Sequence, residues 1–533
     1  MLFINIEPHL YRVVSLVDFK HRTIAIIGYY QVTRLVVNDL NSRLLNPIAP
    51  FPSFKMLFTK PIIGLIVSGV VLAAIGGGMF PLFSYILRKK IDDQVPLTND
   101  SESFNDWLKP PIPVYFQVYV FNYTNSDAIQ KNGTNPSVTE TGPYTYRESI
   151  EKVGVVLENG TVSYRENKYY IFDREKSVGP ETDDVILPNL PVLTVVNFVR
   201  YTNSSIKAYV NMLTFLDKPF KQLTVSDIIW GYKDPLIASL TKYIPKSMNV
   251  SLPEKFGIFY GKNGTDDGNY TIYSGTKDVD NLGIIKSWNG VSSLPYWNTP
   301  YCNMINGSDG TLFSPFKTKD SNIYIFSTDI CRSVHATFDK EMTVHDIPVN
   351  RYTPPPDLFA TGDVEPANKG FCTPNCLPSG LLNVSKCHQD APIVLSQPHF
   401  YQADPAVIQS VTGIKPDPEK HSTQLDIEPT TGLGLHLAKR LQINLMIEAI
   451  PGITISEKID RKVLPLLWID ENAKVDADTA QKFQNEVGIP MKIMCGVKYG
   501  LLGLGGFLIV LALLLLMRNA IINANKRDCY EKI

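Results

Sequence analysis

The sequence predicts a membrane-anchored α+β protein: two transmembrane helices near the chain ends and, between them, a large, mainly antiparallel β domain with a helical insertion. Three observations carry that expectation. Two long stretches lack any charge, Asn-X-Ser/Thr sequons crowd the region between them, and that region reads as short β runs broken by Gly, Asn and Pro. The averages point elsewhere. At 533 residues, with 51 Lys+Arg against 52 Asp+Glu and 44% hydrophobic content, the composition is that of a large soluble protein. The balance excludes a polybasic nucleic-acid surface or an acidic disordered tail as the dominant feature. Seven cysteines are far too few for a disulfide scaffold.

From the N-terminus, residues 1–60 hold 7 Lys+Arg and 3 Asp+Glu. The 27 residues from Pro61 to Leu87 then carry no charge, and neither do the 19 from Tyr499 to Met517. A helix rising about 1.5 Å per residue needs roughly 20 apolar residues to cross a bilayer. Buried core helices rarely stay charge-free for so long, and a signal peptide would sit at the extreme N-terminus. Gly76, Gly77 and Gly78 offer a weak small-residue signal for close helix packing. Arg88, Lys89 and Lys90 make the positive-inside rule ambiguous, so the sequons set the topology. They fall at Asn99, Asn122, Asn132, Asn159, Asn203, Asn249, Asn263, Asn269, Asn306 and Asn383, all between the spans. Confinement to one segment implies a glycosylated lumenal or extracellular domain over 88–498. The expected layout is a cytosolic segment 1–60, spans 61–87 and 499–517, and a cytosolic tail 518–533.

Within 88–498, β signals recur at Val114-YFQVYVF, Lys168-YYIF, Tyr270-TIY, Asn322-IYIF and Leu441-QINLMI. From about Val195 to Tyr243 the spacing turns helical, with Ile206, Tyr209/Val210, Leu213 and Leu216 three to four residues apart. Thr224-VSD resembles a capping box with Asp227 in the N3 place. This stretch is also electrostatically distinct. Residues 197–256 carry Arg200, Lys207, Lys218, Lys221, Lys233, Lys242, Lys246 and Lys255 against Asp217, Asp227, Asp234 and Glu254, a net +4. The whole middle domain is net −7. Such a run is either a solvated face or a landing site for an anionic ligand.

Five cysteines, Cys302, Cys331, Cys372, Cys376 and Cys387, lie in the middle domain, where an oxidising compartment favours bridges and an odd number leaves one thiol over. The pairing stays open at this level. A zinc site is disfavoured by the Cys372-TPN-Cys376 spacing, with His388 the one imidazole nearby in sequence. Cys495 sits at the membrane boundary, and Cys529 in the tail is a palmitoylation candidate or an unmodified thiol. No nucleophile elbow, zincin helix, phosphate loop or dinucleotide fingerprint is present, and HSTQLDIE (421–428) reads as turn chemistry. The expectation is no enzyme, no cofactor and no metal.

Gly142-PYTYRE, Trp230-GYKDPL, Trp288-NG, Cys302-NMINGSDG, Ile330-CRS, Asn383-VSKC, Pro398-HFYQADP, Leu425-DIEPTTG and Ala438-KRLQINL follow one another in order between the spans. With that architecture, residues 60 to 517 resemble the class B scavenger receptor family, whose branches are a fatty acid translocase, a high-density-lipoprotein receptor and a lysosomal integral membrane protein. The resemblance implies an antiparallel β-barrel-like core, a helical apex at about 195–256 and a lipid tunnel toward the membrane. It implies as partners membrane lipids and long-chain fatty acids, cholesteryl esters or modified lipoproteins, or, in the lysosomal branch, an enzyme such as a glucosidase. A homo-oligomer is compatible with it; nucleic acid is not expected. Arg200, Lys207, Lys218 and Lys221 become the ligand-contacting candidates, the last two lying nearest the functional lysines of the fatty-acid branch. The resemblance also implies bridges Cys331–Cys387 and Cys372–Cys376, with Cys302 free.

Two features depart from the family pattern. The tail Arg518-NAIINANKRDCYEKI has no acidic dileucine signal, which favours the plasma membrane over the lysosomal membrane. Family members begin a few residues before the first span, so Met56 is the expected initiator and residues 1–55 an extension.

Overall fold

The structure is a computed structural model that describes residues 57–215, 217–236, 254–373, 375–459 and 462–530, with side chains to residue 526. Met56, Lys242, Lys246, Asn249, Leu216, Pro374 and the side chain of Cys529 therefore lie outside the described residues. The chain forms two units, Pro81–Cys495 and the ends up to Phe80 and from Gly496.

The first helix, α1 (Lys60–Gln94), contains the first charge-free stretch and overruns it at its C-terminal end. After α2 (Glu102–Leu108) come β1 (Val114–Tyr123), α3 (Ser126–Asn132) and the long hairpin β2 (Val138–Glu158) and β3 (Thr161–Phe172). A helical insertion follows, α4 (Leu190–Phe198) and α5 (Ser204–Thr214), between β4 (Asp184–Pro188) and β5 (Phe220–Thr224), then α6 (Val225–Trp230). Short strands β6 (Thr265–Asp266), β7 (Tyr270–Tyr273) and β8 (Ile285–Trp288) precede β9 (Ile323–Ser327), β10 (Arg332–Val344) and β11 (Ile347–Thr353). Then come β12 (Leu382–Asn383), β13 (Ile393–Ser396), the single turns α7 (Pro405–Gln409) and α8 (Pro418–His421), β14 (Gln424–Ile427), β15 (Gly434–Ile447) and β16 (Lys462–Lys474). The chain ends through α9 (Ala477–Phe483) and α10 (Ile489–Tyr530), which contains the second apolar stretch.

One antiparallel sheet orders these strands 8-7-3-2-1-16-15-14-11-10-9, with β13 added on β15 and β6 on β3. Its middle is covered on both faces: every residue from Leu464 to Asp470 of β16 is buried, as are Val118, Val120 and Phe121 of β1. The far half of β2 alternates instead, as a strand with one wet face does. The sheet curls strongly. Strands β3 and β16 are three steps apart, about 14 Å across a flat sheet, yet Lys168 Nζ of β3 lies 2.8 Å from Glu471 of β16 and 3.1 Å from Glu148 of β2. Lys439 of β15 extends this chain of charges to Glu471 (3.2 Å) and Asp329 (2.6 Å).

The two sheet ends meet through one short segment. Gly307 O accepts the Ile285 N–H of β8, Ser308 N–H donates to Tyr324 O of β9, and Ser308 O accepts from Phe326 N–H. Gly307 has φ +87°, and a Cβ there would lie 2.1 Å from Tyr324 O. The barrel-like closure therefore runs through a residue that only glycine can be.

Four of the five β runs expected from sequence fall inside strands, and the fifth, Asn322-IYIF, does so from Ile323 on. The helical region expected from about Val195 is a helical insertion whose described part ends at Leu236. Helix starts earlier, at Leu190, and strand β5 interrupts it because Pro219 has no N–H and disfavours helix at Lys218. Thr224 does cap α6, its hydroxyl accepting Asp227 N–H at 3.1 Å. Of the three consecutive span glycines, only Gly76 touches the partner helix, a Cβ there lying 2.9 Å from Leu502 Cγ; Gly69 and Gly505 supply the other close contact.

Burial dominates at Glu148 and, with Glu471 repelling it, outweighs Lys168 and Lys439, raising its pKa from 4.5 to about 7. The fold thus binds this proton more tightly than the unfolded chain, and ionising Glu148 costs stability increasingly from pH 4.5 up through 7. Glu148→Gln is expected to raise the melting temperature at pH 8 and leave it unchanged at pH 4.5; equal shifts at both would contradict this. Gly307→Ala is expected to cost more than about 2 kcal/mol or to abolish folding, read as loss of a cooperative melt.

Candidate functional site

The helical insertion is built on an apolar underside. Val192, Val195, Val196 and Val199 of α4 and the turn after it pack with Val210, Leu236, Ile450 and Ile453, and Ile206, Tyr209 and Leu213 join them. Thr202 Oγ1 donates to Val199 O (2.8 Å), closing that turn, and Asn203 Oδ1 accepts Ile206 N–H (3.0 Å) to start α5. Asn211 Oδ1 accepts Thr454 N–H at 2.8 Å, anchoring α5 to the loop before β16. With one face of α5 so committed, the opposite face carries Ser205, Ala208, Met212 and Phe215, all exposed at alternating three- and four-residue spacing. Met212 is 64% exposed, Phe215 71% and the neighbouring Tyr201 86%. These large apolar side chains form a bare row on one helix face. The expected set of candidates omitted them, although they are the apolar positions left over once the inward face is assigned.

The expected cations divide into two kinds. Arg200 is ion-paired to Glu448, and Lys221 Nζ sits 2.8 Å from the buried Asp234 and 4.7 Å from the Tyr232 ring centroid. Lys233 pairs with Glu254 at 2.7 Å in an exposed bridge of little energetic weight. Lys207, half-buried, and Lys218, exposed, have no ion pair among the described residues. Burial, reinforced by Asp234, raises the pKa of Asp217 beside Lys218. The accessible positive charge is thus narrower than the net +4, because Glu448, from outside the stretch, neutralises part of it. Lys218 sits just past the C-terminal end of the apolar face, and Lys207 lies along α5.

The cysteines frame a different part of the chain. Cys331 at the head of β10 is bonded to Cys387, and Cys372 to Cys376 with Cα atoms 4.2 Å apart. Cys302 is a buried free thiol whose Sγ lies 3.4 Å from Ala367 O; Cys495 is a half-buried free thiol. Among the sequons, Asn99, Asn132, Asn159, Asn203, Asn263 and Asn269 are exposed, and Asn122 and Asn306 half-buried. Asn383 is 6% exposed and its amide donates to Thr373 O at 3.1 Å, so a glycan there requires that bond to open.

Residues 67–516 match the model of the CD36 family. The chain belongs to that family. It is 36% identical over 460 residues to scavenger receptor class B member 1 of Rattus norvegicus, covering 86% of this chain and 89% of that protein. It is 39% identical over 434 residues to lysosome membrane protein 2 of Homo sapiens, covering 80% and 88%. A fold of two apolar helices flanking a barrel-like antiparallel sheet with helices is thereby established, as is the class, a receptor or membrane protein of the scavenger-receptor kind.

One further cluster in this CD36-family barrel has metal-like composition. Glu140, His399 and His421 place their ligand atoms within 4.8 Å of one another. The hydrogen bonds oppose a metal. His399 Nδ1 accepts Lys415 N–H (3.0 Å) and His421 Nδ1 accepts Asp417 N–H (2.9 Å), so each Nε2 carries the proton. A metal on Nε2 needs Nδ1–H as a donor instead. His399 Nε2–H donates to Glu140, which also accepts from Trp468 Nε1 (2.7 Å), and the two imidazoles stack at 4.3 Å. Burial, with His399 beside it, lowers the pKa of His421 to about 4. The cluster clamps strands β2 and β16 to the loop before β14. Millimolar zinc is expected to leave the melting temperature unchanged. Met212→Ser with Phe215→Ser is expected to shift it by less than about 2 °C, since both side chains are exposed.

Proposed function

We propose that this CD36-family chain is a lipid or lipoprotein receptor that engages anionic amphiphilic ligands on the outer face of α5. The observation that supports it is the bare apolar row Met212 and Phe215, with Tyr201, beside Lys207 and Lys218, which have no ion pair among the described residues. Apolar side chains enter an acyl or lipoprotein surface while the lysines meet its anionic groups, and attraction extends over about 8 Å at physiological salt. Ligand classes in keeping with the resemblance are long-chain fatty acids, cholesteryl esters and modified lipoproteins. Transfer through a tunnel to the membrane, or uptake of the whole particle, completes the reading. Ten sequons between two apolar helices support both termini being cytosolic and the barrel lying outside the cytosol.

A second reading rests on the 39% identity to lysosome membrane protein 2: the same face would hold a lysosomal enzyme. An exposed aromatic-and-methionine row suits a protein partner as well as a lipid.

The test is uptake of fluorescent modified lipoprotein by cells displaying Met212→Ser/Phe215→Ser, Lys218→Glu, or wild type at matched surface level. Each variant is expected to lower uptake about fivefold or more, and the Lys218 effect to shrink at high salt. Lys221→Glu is unsuitable, because it sets a second carboxylate against buried Asp234. Unchanged uptake in both variants would reject the lipid-receptor reading. Unchanged uptake together with lost pull-down of a lysosomal hydrolase would support the second.

A further inference from the structure

Buried cations in this barrel have carboxylate partners. Arg351 holds Asp426 through Nε and Nη2 at 2.6 and 2.7 Å, Arg440 meets Asp470 at 3.1 Å, and Lys152 meets Glu166 at 3.0 Å. Arg332 does not. It is 5% exposed, the first residue of β10 and next to bridged Cys331, and no carboxylate among the described residues pairs with it.

Two hydrogen bonds hold the guanidinium. Nε donates to Ser333 O and Nη1 to Leu358 O, each at 3.2 Å. A guanidinium has five N–H donors, so most remain unused. Its Cζ lies 3.7 Å from the Phe371 ring centroid and 5.9 Å from that of Phe359, which holds the plane in place without cancelling the charge. Burial alone lowers the arginine pKa to about 10. An unpaired buried charge of this kind costs several kcal/mol.

Arg332 lines a small open cleft of about 20 Å³, room for a water-sized ion or a single ligand headgroup. Phe359, Phe371, Leu377 and Leu381 give it apolar walls, and Asn368 adds an amide. In the same loop, the hydroxyl of Thr373 is buried with no hydrogen-bond partner among the described residues. A small anion seated there would offset the cost of burying the unpaired cation.

We propose that the cleft beside Arg332 binds a monovalent anion, a halide or the carboxylate of an acyl chain, which supplies the missing counter-charge. The inference is independent of the role given to α5. It is tested on the full chain in non-ionic detergent by thermal melts at constant ionic strength.

Chloride replaces gluconate in one titration; octanoate, with octanol as its neutral control, is added in the other. A saturable rise of about 2–4 °C with chloride assigns a halide. Such a rise with octanoate and not with octanol assigns an acyl carboxylate. Arg332→Met, which keeps an unbranched apolar stem against Phe371, is expected to lose the response. A response retained in Arg332→Met at the same half-saturation would overturn the proposal. If that variant fails to fold, wild type alone decides: responses that never saturate, or that octanol reproduces without any response to chloride, would overturn it.

Discussion

The half-buried chain of charges Lys168–Glu471–Lys439–Asp329, with the buried Glu148 against Lys168, is the constraint on which the barrel depends. Its members come from β3, β16, β15, β2 and the turn before β10, strands that a flat sheet would hold far apart. Ion pairs inside a protein give little net stability, because desolvation offsets most of the attraction. Their contribution here is geometric. Two lysines among three carboxylates leave an excess negative charge unless one acid keeps its proton, and Glu148 is the acid that burial singles out. Curling the sheet is the arrangement that brings all five together. Once curled, the ends β8 and β9 come within reach of the Gly307–Ser308 segment.

That curl also explains what the sequence could and could not disclose. Runs of β-branched and aromatic residues, in Val114–Tyr123 and in the stretch ending at Ile447, announce strands locally because such side chains pack well on a pleated surface. The charge-free stretches announce the two long helices by length alone. Strand order is another matter. Lys168 and Glu471 are 303 positions apart, and nothing local marks either as the other's partner. Within the helical insertion, the Thr224 cap is readable locally and so is the helix-ending Lys218-Pro219, whereas the short strand β5 between them is set by its pairing with β4.

The candidate site was half legible for a similar reason. Counting charges located the region but treated all cations alike. Arg200 is neutralised by Glu448, a residue remote in sequence, and Lys221 by Asp234. Pairing subtracts most from side chains near acids, so the cations left for a ligand are those along α5 and just beyond it. The apolar half of the site was visible as a second set of three- and four-residue spacings in α5, opposite the inward one. An amphipathic helix needs only one apolar stripe to fold; the second stripe, Met212 and Phe215, has no role in packing.

Receptor function on this account is contact made by that second stripe. Met212→Asn is a direct probe of it, since with Leu213 and Thr214 the single change completes an Asn-X-Thr sequon and sets a bulky glycan on the exposed face of α5. The account predicts that the glycosylated variant reaches the cell surface folded and loses lipoprotein binding, while Met212→Gln, which adds no glycan, retains most of it. Full binding by a variant whose new glycan is shown by mass spectrometry to be attached would contradict the account.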